Sequence, residues 1–400
     1  MTSKLAIVTS HPIQYYAPWF RFLAQDCQRD LRVFYLWDFG VVAQRDRQFQ
    51  TTLAWDIPLL EGYPYEFVEN VSAQPGTSHF WGLNNPSLAH RLRAYQPDAV
   101  LCMVYNYISL YRLIFTWREC PLLFRGDSHR LVPPTGVKAK VKQWWIRQIF
   151  QRFAACLYVG QANYRYYLEH GVHRDRLFFS PHSIDNQRFS QALPEATAAA
   201  REWKRSLGIP SDHRVILFAG KFISKKRPQD LLQAFLEASF SHVSLLFVGA
   251  GPLEAVLRSQ ASGSTQVYFA PFQNQSQMPR TLAIADVVVL PSYGAGETWG
   301  LIVNEAMCLG KPVIVSHHVG CAEDLVKHGQ NGYIFPAGDV ASLTQILIQA
   351  LGQADLDQMG RRSSHHIQAY SYERMAQGLG EALASLPQSA PALNSLAIHS

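Results

Sequence analysis

Asp286-Val-Val-Val-Leu-Pro291, and then Gly294-Ala-Gly-Glu297-Thr-Trp-Gly300-Leu-Ile-Val-Asn-Glu305-Ala-Met-Cys-Leu-Gly310-Lys-Pro-Val-Ile-Val315, decide how this chain is read. A short, uniformly apolar run bounded by turn residues is the pattern of a strand covered on both faces. Here it leads into a glycine-rich loop, a helix and a second apolar run, the sequence form of one parallel strand–helix–strand unit. Glu297 lies in the loop and Glu305 eight residues on, on the helix. A carboxylate accepts several hydroxyl hydrogen bonds at once. Glycines let the main chain come close to a ligand, and the first N–H groups of a helix have no partner within it. The arrangement suits a ligand bearing both hydroxyls and phosphates, as a nucleotide sugar does.

Outward from this segment the same alternation recurs. Val215–Ala219, Ser244–Val248, Val267–Phe269, Val287–Leu290 and Val313–Ser316 read as strands, and so, earlier, do Leu5–Thr9, Leu31–Trp37, Ala99–Val104, Leu122–Arg125 and Cys156–Val159. Amphipathic stretches at Tyr15–Ala24, Leu88–Tyr95, Tyr107–Glu119 and Gln161–His170 read as the helices between them. Strand–helix alternation carried out twice predicts an α/β protein with two Rossmann-like, doubly wound domains facing a central cleft. The chain's 400 residues fit two such cores better than one. Residues 1–186 are expected to form the first domain, 187–212 the crossing and 213–370 the second. A last helix at about 371–386 is expected to pack back on the first domain, and 389–400 to form a disordered tail.

Composition narrows the classes. A formal net charge of +6 is modest and asks for an anionic ligand or surface without demanding nucleic acid. Six scattered cysteines have neither C-x-x-C nor metal-type spacing and read as small core residues of a reducing compartment. The first apolar run is too short for a signal peptide, and no segment approaches the ~18 apolar residues of a membrane span. A cytoplasmic protein is expected.

Arg214-Val-Ile-Leu-Phe-Ala-Gly220 is a buried strand with Lys221 directly after it, and Lys225-Lys226-Arg227 precedes Pro228, which opens a helix. Cations at a helix N-terminus oppose its dipole and repel one another, a conflict that an anion would relieve. Gly249-Ala-Gly251 lacks the third glycine of the dinucleotide fingerprint, with Glu254 in its place, so a nicotinamide enzyme is not expected.

In these features the chain resembles the retaining glycosyltransferases of family 4, of GT-B architecture, whose signature is E-x7-E. The likeness runs in order from Val215 to about Leu347 and more weakly through the first half. It implies a hexosyl-type transferase that moves a sugar, with retention, from a UDP- or GDP-linked donor to an acceptor hydroxyl, with no cofactor and no metal. By resemblance Lys221, where an arginine is more usual, and Lys226 would grip the diphosphate, with the N–H groups of Gly300, Leu301 and Ile302. Glu297 would face the donor sugar, Glu305 the ribose, and the loop at Phe272 the base. Asp355-Leu-Asp357, the D-x-D match, sits in a late polar stretch and reads as surface.

On the acceptor side, Asp127 and His129 follow the strand Leu122–Arg125, and the resemblance puts a histidine of this kind beside the transferred sugar. Ser10-His11-Pro12-Ile13-Gln14-Tyr15 stands where relatives carry a glycine pair, and Ser180-Pro-His182-Ser-Ile-Asp185 where they carry an Asn-Gly hinge. Asp185 is therefore assigned to the hinge without a catalytic role. From Arg130 to Phe153 six cations and no acid interleave with Trp144, Trp145, Ile146, Ile149 and Phe150. That stretch suits either an anionic membrane surface, the inner face being the expected one, or a core-packed helix with a solvated basic edge. The resemblance implies as acceptor a carbohydrate or lipid-linked molecule, of polysaccharide, lipopolysaccharide or glycolipid synthesis. A non-catalytic GT-B-like binding subunit, a sugar phosphorylase and a nucleotide-sugar epimerase remain as other readings of the same fold.

Overall fold

A computed structural model describes residues 4–40, 44–46, 51–53, 55–133 and 135–387, so the expected tail at 389–400 lies outside the described residues. Its strands, in chain order, are β1 Leu5–Thr9, β2 Leu31–Tyr35, β3 Gln44–Asp46, β4 Thr51–Leu53, β5 Tyr65–Phe67, β6 Ala99–Cys102, β7 Leu122–Arg125, β8 Ala155–Tyr158 and β9 Leu177–Phe179. The second half adds β10 Arg214–Ala219, β11 Val243–Val248, β12 Val267–Ala270, β13 Val287–Leu290, β14 Val313–Ser316 and β15 Gly332–Phe335. Two parallel sheets result, ordered β5-β2-β1-β6-β7-β8-β9 and β12-β11-β10-β13-β14-β15, with β3 and β4 forming a small antiparallel pair. Both sheets have the doubly wound order, reversing direction between β1 and β6 and between β10 and β13.

The apolar runs are continuous because each strand feeds two cores. Ala6 and Val8 point into one core of the first sheet, and Leu5 and Ile7 into the other. Val215 and Leu217 divide in the same way from Ile216 and Phe218 in the second. Three expected boundaries contract: β2 ends at Tyr35, β6 at Cys102, and the third helix spans Ile108–Thr116. β5, β9 and β15 lack a sequence signal, being short or, for β15, opening on glycine. Four cysteines are buried, Cys120 is half-buried and Cys27 is exposed.

Two helices, Asn186–Gln191 and Leu193–Ser206, fill the crossing. Asp185 caps the first by accepting from the Arg188 N–H. The last helix, Tyr372–Ala384, returns to the first sheet and packs on β8 and β9, with Met375 and Leu379 in that sheet's core. A side chain at Gly378 would bring a Cβ to 1.9 Å from the Phe179 carbonyl oxygen, so only glycine permits this approach.

Candidate active site

At the carboxyl edges of both sheets lies a cleft of about 490 Å³. The turn after β1 supplies Tyr15, the turn after β10 supplies Lys221, and the loop after β13 supplies Glu297 through Ile302. All five backbone or side-chain positions Lys226, Gly300, Leu301, Ile302 and Glu305 line it, as do Asp127 and Phe272. Phe272 meets Trp55 of the first domain edge-on, ring centroids 6.5 Å apart.

Glu297 is 7 % exposed, and its Oε2 accepts from Lys226 Nζ at 2.5 Å and from Ser292 Oγ at 3.0 Å. Burial alone would raise its carboxyl, but the charge and hydrogen bond of Lys226 and the charge of Lys225 hold it below the ordinary range. The cations at the helix entrance are thus partly answered by the protein itself. Lys226 has Glu297, Arg227 has Asp230 at 2.8 Å, and Lys225 Nζ donates to the Gly296 carbonyl at 2.9 Å. Gly300 must be glycine: its φ is +97°, and an added Cβ would lie 2.8 Å from Leu290 Cδ2 and 2.9 Å from Val319 Cγ1. That close fit presses the loop onto β13 just before the helix Ile302–Cys308, whose first residue lines the cleft.

Glu305 is only 1 % exposed, not a solvated helix position. Its Oε1 accepts from the Tyr15 hydroxyl at 3.0 Å and from Gln275 Nε2 at 3.4 Å. Gln275 in turn accepts from Arg188 of the crossing helix through its side-chain oxygen at 2.9 Å. Burial pushes the Glu305 carboxyl up to about 7, against the pull of the Gln275 and Tyr15 hydrogen bonds and the Arg188 charge. Burial, with the charge of Glu305, raises the Tyr15 phenol well above its ordinary value. The two glutamates of the cleft are therefore opposite in character, Glu297 held low by its lysines and Glu305 raised by burial.

Asp127 reaches the Glu297 loop from the first domain. Its Oδ2 accepts from Thr298 Oγ1 at 2.7 Å and from His182 Nε2 at 3.4 Å. Burial acts to raise this carboxyl, but the hydrogen bond and charge of His182, with the Thr298 hydroxyl, outweigh it and hold it low. Burial lowers His182 itself; its ring lies between Tyr16, stacked at 6.1 Å, and Trp299 at 5.5 Å. His129 is placed differently. Its Nδ1 accepts from the Leu131 N–H at 3.3 Å, which leaves Nε2–H to donate to the Glu297 carbonyl at 3.1 Å. Its ring lines a neighbouring cavity rather than the cleft.

Sequence reading missed Tyr15, His182, Gln275 and Thr298. Tyr15 and His182 stand in the two loops noted as departures from the family pattern; Gln275 and Thr298 have no signal of their own. Asp355 and Asp357 are exposed, and Asp355 caps its helix by accepting from the Gln358 N–H. Among the described residues the group close enough to share a metal ion is Asp212, His213 and His242, at the amino ends of β10 and β11 and away from the cleft.

The two facing sheets and their cleft define the class: this is the GT-B fold. Anabaena Alr3699/HepE, solved with UDP and glucose, has a TM-score of 0.72 to this chain at 18 % identity, covering 96 % of this chain and all of that one. Sucrose-phosphate synthase of Thermosynechococcus elongatus has a TM-score of 0.73 at 17 % identity, covering 96 % and 98 %. Residues 199–366 match the family described as glycosyl transferases group 1. The chain is 29 % identical over 226 residues to the D-inositol 3-phosphate glycosyltransferase of Nocardia farcinica, covering 53 % of this chain and 48 % of that protein. It is 32 % identical over 149 residues to the phosphatidyl-myo-inositol mannosyltransferase of Mycobacterium leprae, covering 36 % and 39 %. The chain thus spans half or less of the length of these curated relatives.

Proposed function

We propose that this protein transfers a hexosyl unit from a nucleoside diphosphate sugar to an acceptor hydroxyl, as a retaining, family 4 glycosyltransferase of the E-x7-E type. The observation that carries the reading is one cleft in which a lysine-paired Glu297, a buried Glu305 and the first turn of a helix converge. UDP is the favoured nucleotide, since the fold relative from Anabaena was solved with UDP and with UDP-glucose.

In this reading Lys221 and Lys226, with the N–H groups of Gly300, Leu301 and Ile302, neutralise the departing diphosphate without a metal or other cofactor. Glu305 accepts from the ribose hydroxyls and Phe272, beside Trp55, borders the base. Glu297 accepts from the donor sugar hydroxyls, and its bond to Lys226 aligns sugar and phosphate. The leaving phosphate takes the acceptor proton on the same face of the sugar. Asp127 orients the acceptor, and His129 positions Glu297 by holding its carbonyl. The domains divide near 186 and 212, the crossing helices acting as the hinge. The Arg130–Phe153 stretch rests on the inner face of an anionic membrane and presents the cleft to a lipid-linked acceptor. Among the described residues no helix is long and apolar enough to cross a membrane.

The test is a thermal-shift panel with UDP, GDP, ADP and CMP, without added metal, followed by transfer assays with the matching donor sugars. A site filled at a hundredfold over its dissociation constant gains about 2.7 kcal/mol, or roughly several degrees. One nucleoside diphosphate standing out supports the reading. No response to any of them would return the phosphorylase or binding-subunit reading.

A further inference from the structure

A second cavity, of about 290 Å³, lies on the first-domain side of the cleft and shares Thr298 with it. Its back wall is aromatic and apolar, from Tyr105, Tyr166 and Ile146, and its mouth carries Arg130 and Lys142. Among the described residues none that lines it is acidic. Glu169 reaches in from the rim to Arg130 at 3.4 Å, with its own side chain half-exposed. Lys142 makes no hydrogen bond or ion pair among the described residues. His170, also in the wall, donates from Nδ1 to the Tyr166 carbonyl at 2.7 Å, and burial lowers it, so it adds no positive charge at neutral pH.

The helix Val137–Phe150 gives this cavity its direction. Ala139, Lys142, Gln143 and Ile146 face the cavity. Val137, Val141 and Trp144 are spaced four and three residues apart on the opposite side, and are 77 %, 61 % and 59 % exposed. At about 100° per residue the two sets fall on opposite faces of the helix. One face is an apolar stripe flanked by lysines, and the other closes a cationic chamber next to Asp127.

We propose that this chamber is an acceptor subsite that takes a phosphorylated polyol, its anion held by Arg130 and Lys142 and its hydroxyls directed past Thr298 into the cleft. The proposal rests on the transferase reading for its role but not for its chemistry. A phosphate would take Arg130 in competition with the exposed Glu169, and would give Lys142 its partner. The small volume admits a single head group, not an oligosaccharide. The same chemistry is offered by a free polyol phosphate and by a lipid head group.

Binding of glycerol 3-phosphate, with glycerol as the uncharged control, is measured by saturation-transfer NMR on the UDP-saturated protein. Co-sedimentation with phosphatidylcholine vesicles, with and without phosphatidylglycerol, is run alongside. The double variant Arg130→Gln/Lys142→Gln should weaken anion binding about tenfold or more, the loss of a charge-assisted contact. Arg130→Lys/Lys142→Arg should keep it. Lys138→Gln/Lys140→Gln, equal in charge but outside the chamber, serves as the vesicle control. Variant-sensitive binding of glycerol 3-phosphate marks a soluble acceptor; the same sensitivity seen with phosphatidylglycerol vesicles alone marks a lipid head group. Binding unaffected by the glutamine variant, loss in the charge-retaining variant, equal weakening by the 138/140 control, or no binding of either probe would overturn the proposal. UDP affinity, read on the same samples, reports separately on the donor site.

Discussion

Replacing Glu305 with glutamine should stabilise the ligand-free protein by an amount that grows as pH rises from about 4.5 to about 7 and is constant above. The carboxyl is shut between Tyr15, Gln275 and the helix Ile302–Cys308, and burial raises it from 4.5 to about 7. A folded-state value above the unfolded one means that the folded state binds the extra proton. Stability from this group is complete below about 4.5, falls as pH rises, and is lost above about 7. At ~1.4 kcal/mol per pH unit the ionised carboxylate costs the fold about 3 kcal/mol at pH 8. Glutamine keeps an oxygen for Tyr15 and Gln275 and cannot ionise. Thermal unfolding of wild type and Glu305→Gln should therefore coincide near pH 4.5–5, separate progressively up to about pH 7 and stay apart to pH 8. At roughly 2–4 °C per kcal/mol for a domain of this size, the separation should reach about 6 °C or more. The same group should make UDP binding pH-dependent, since hydroxyl donors favour the carboxylate; affinity should rise between pH 6 and pH 8 in wild type and stay flat in the variant. A melting difference independent of pH from 5 to 8 would refute the argument that burial, not a specific bond, controls this carboxyl.

Glu297→Gln should abolish most transfer while UDP affinity changes little, checked by turnover and calorimetry side by side. Lys226→Met should instead cost about 3 kcal/mol at pH 7, because it leaves the buried Glu297 without its nearest charge, and less at pH 5, in denaturant titrations. Gly300→Ala should destabilise by about 1–3 kcal/mol and weaken nucleotide binding, through its left-handed backbone and the Leu290 and Val319 contacts. Asp127→Asn should raise the acceptor KM or lower kcat with UDP affinity unchanged; an equal fall in UDP affinity would move Asp127 to the donor side.

Much of the fold was legible because parallel strands covered on both faces leave an unmistakable trace. β1, β7, β10, β13 and β14 each carry at least three consecutive apolar residues, and the order of runs and helices follows from local periodicity. Short edge strands such as β5 and β9 were not legible, since their pairing comes from the neighbour rather than from their own residues. Of the candidate site, the residues on the glycine loop and its helix could be singled out by spacing and by the cost of leaving a cation or carboxylate unanswered.

The amino-acid sequence by itself determined the two doubly wound sheets, the glycine loop that runs into a helix, and the carboxylates and lysines placed around it. Only the tertiary structure decided what each group is. It pairs Lys226 with Glu297, buries Glu305 under Tyr15 from the other domain, ties both nitrogens of His129 to backbone, and sets His182 beside Asp127. Backbone preference and burial pattern are local and are written residue by residue. Protonation, pairing and solvation depend on partners that stand as many as 290 residues away, Tyr15 from Glu305, and exist only once both domains have closed around the same cleft.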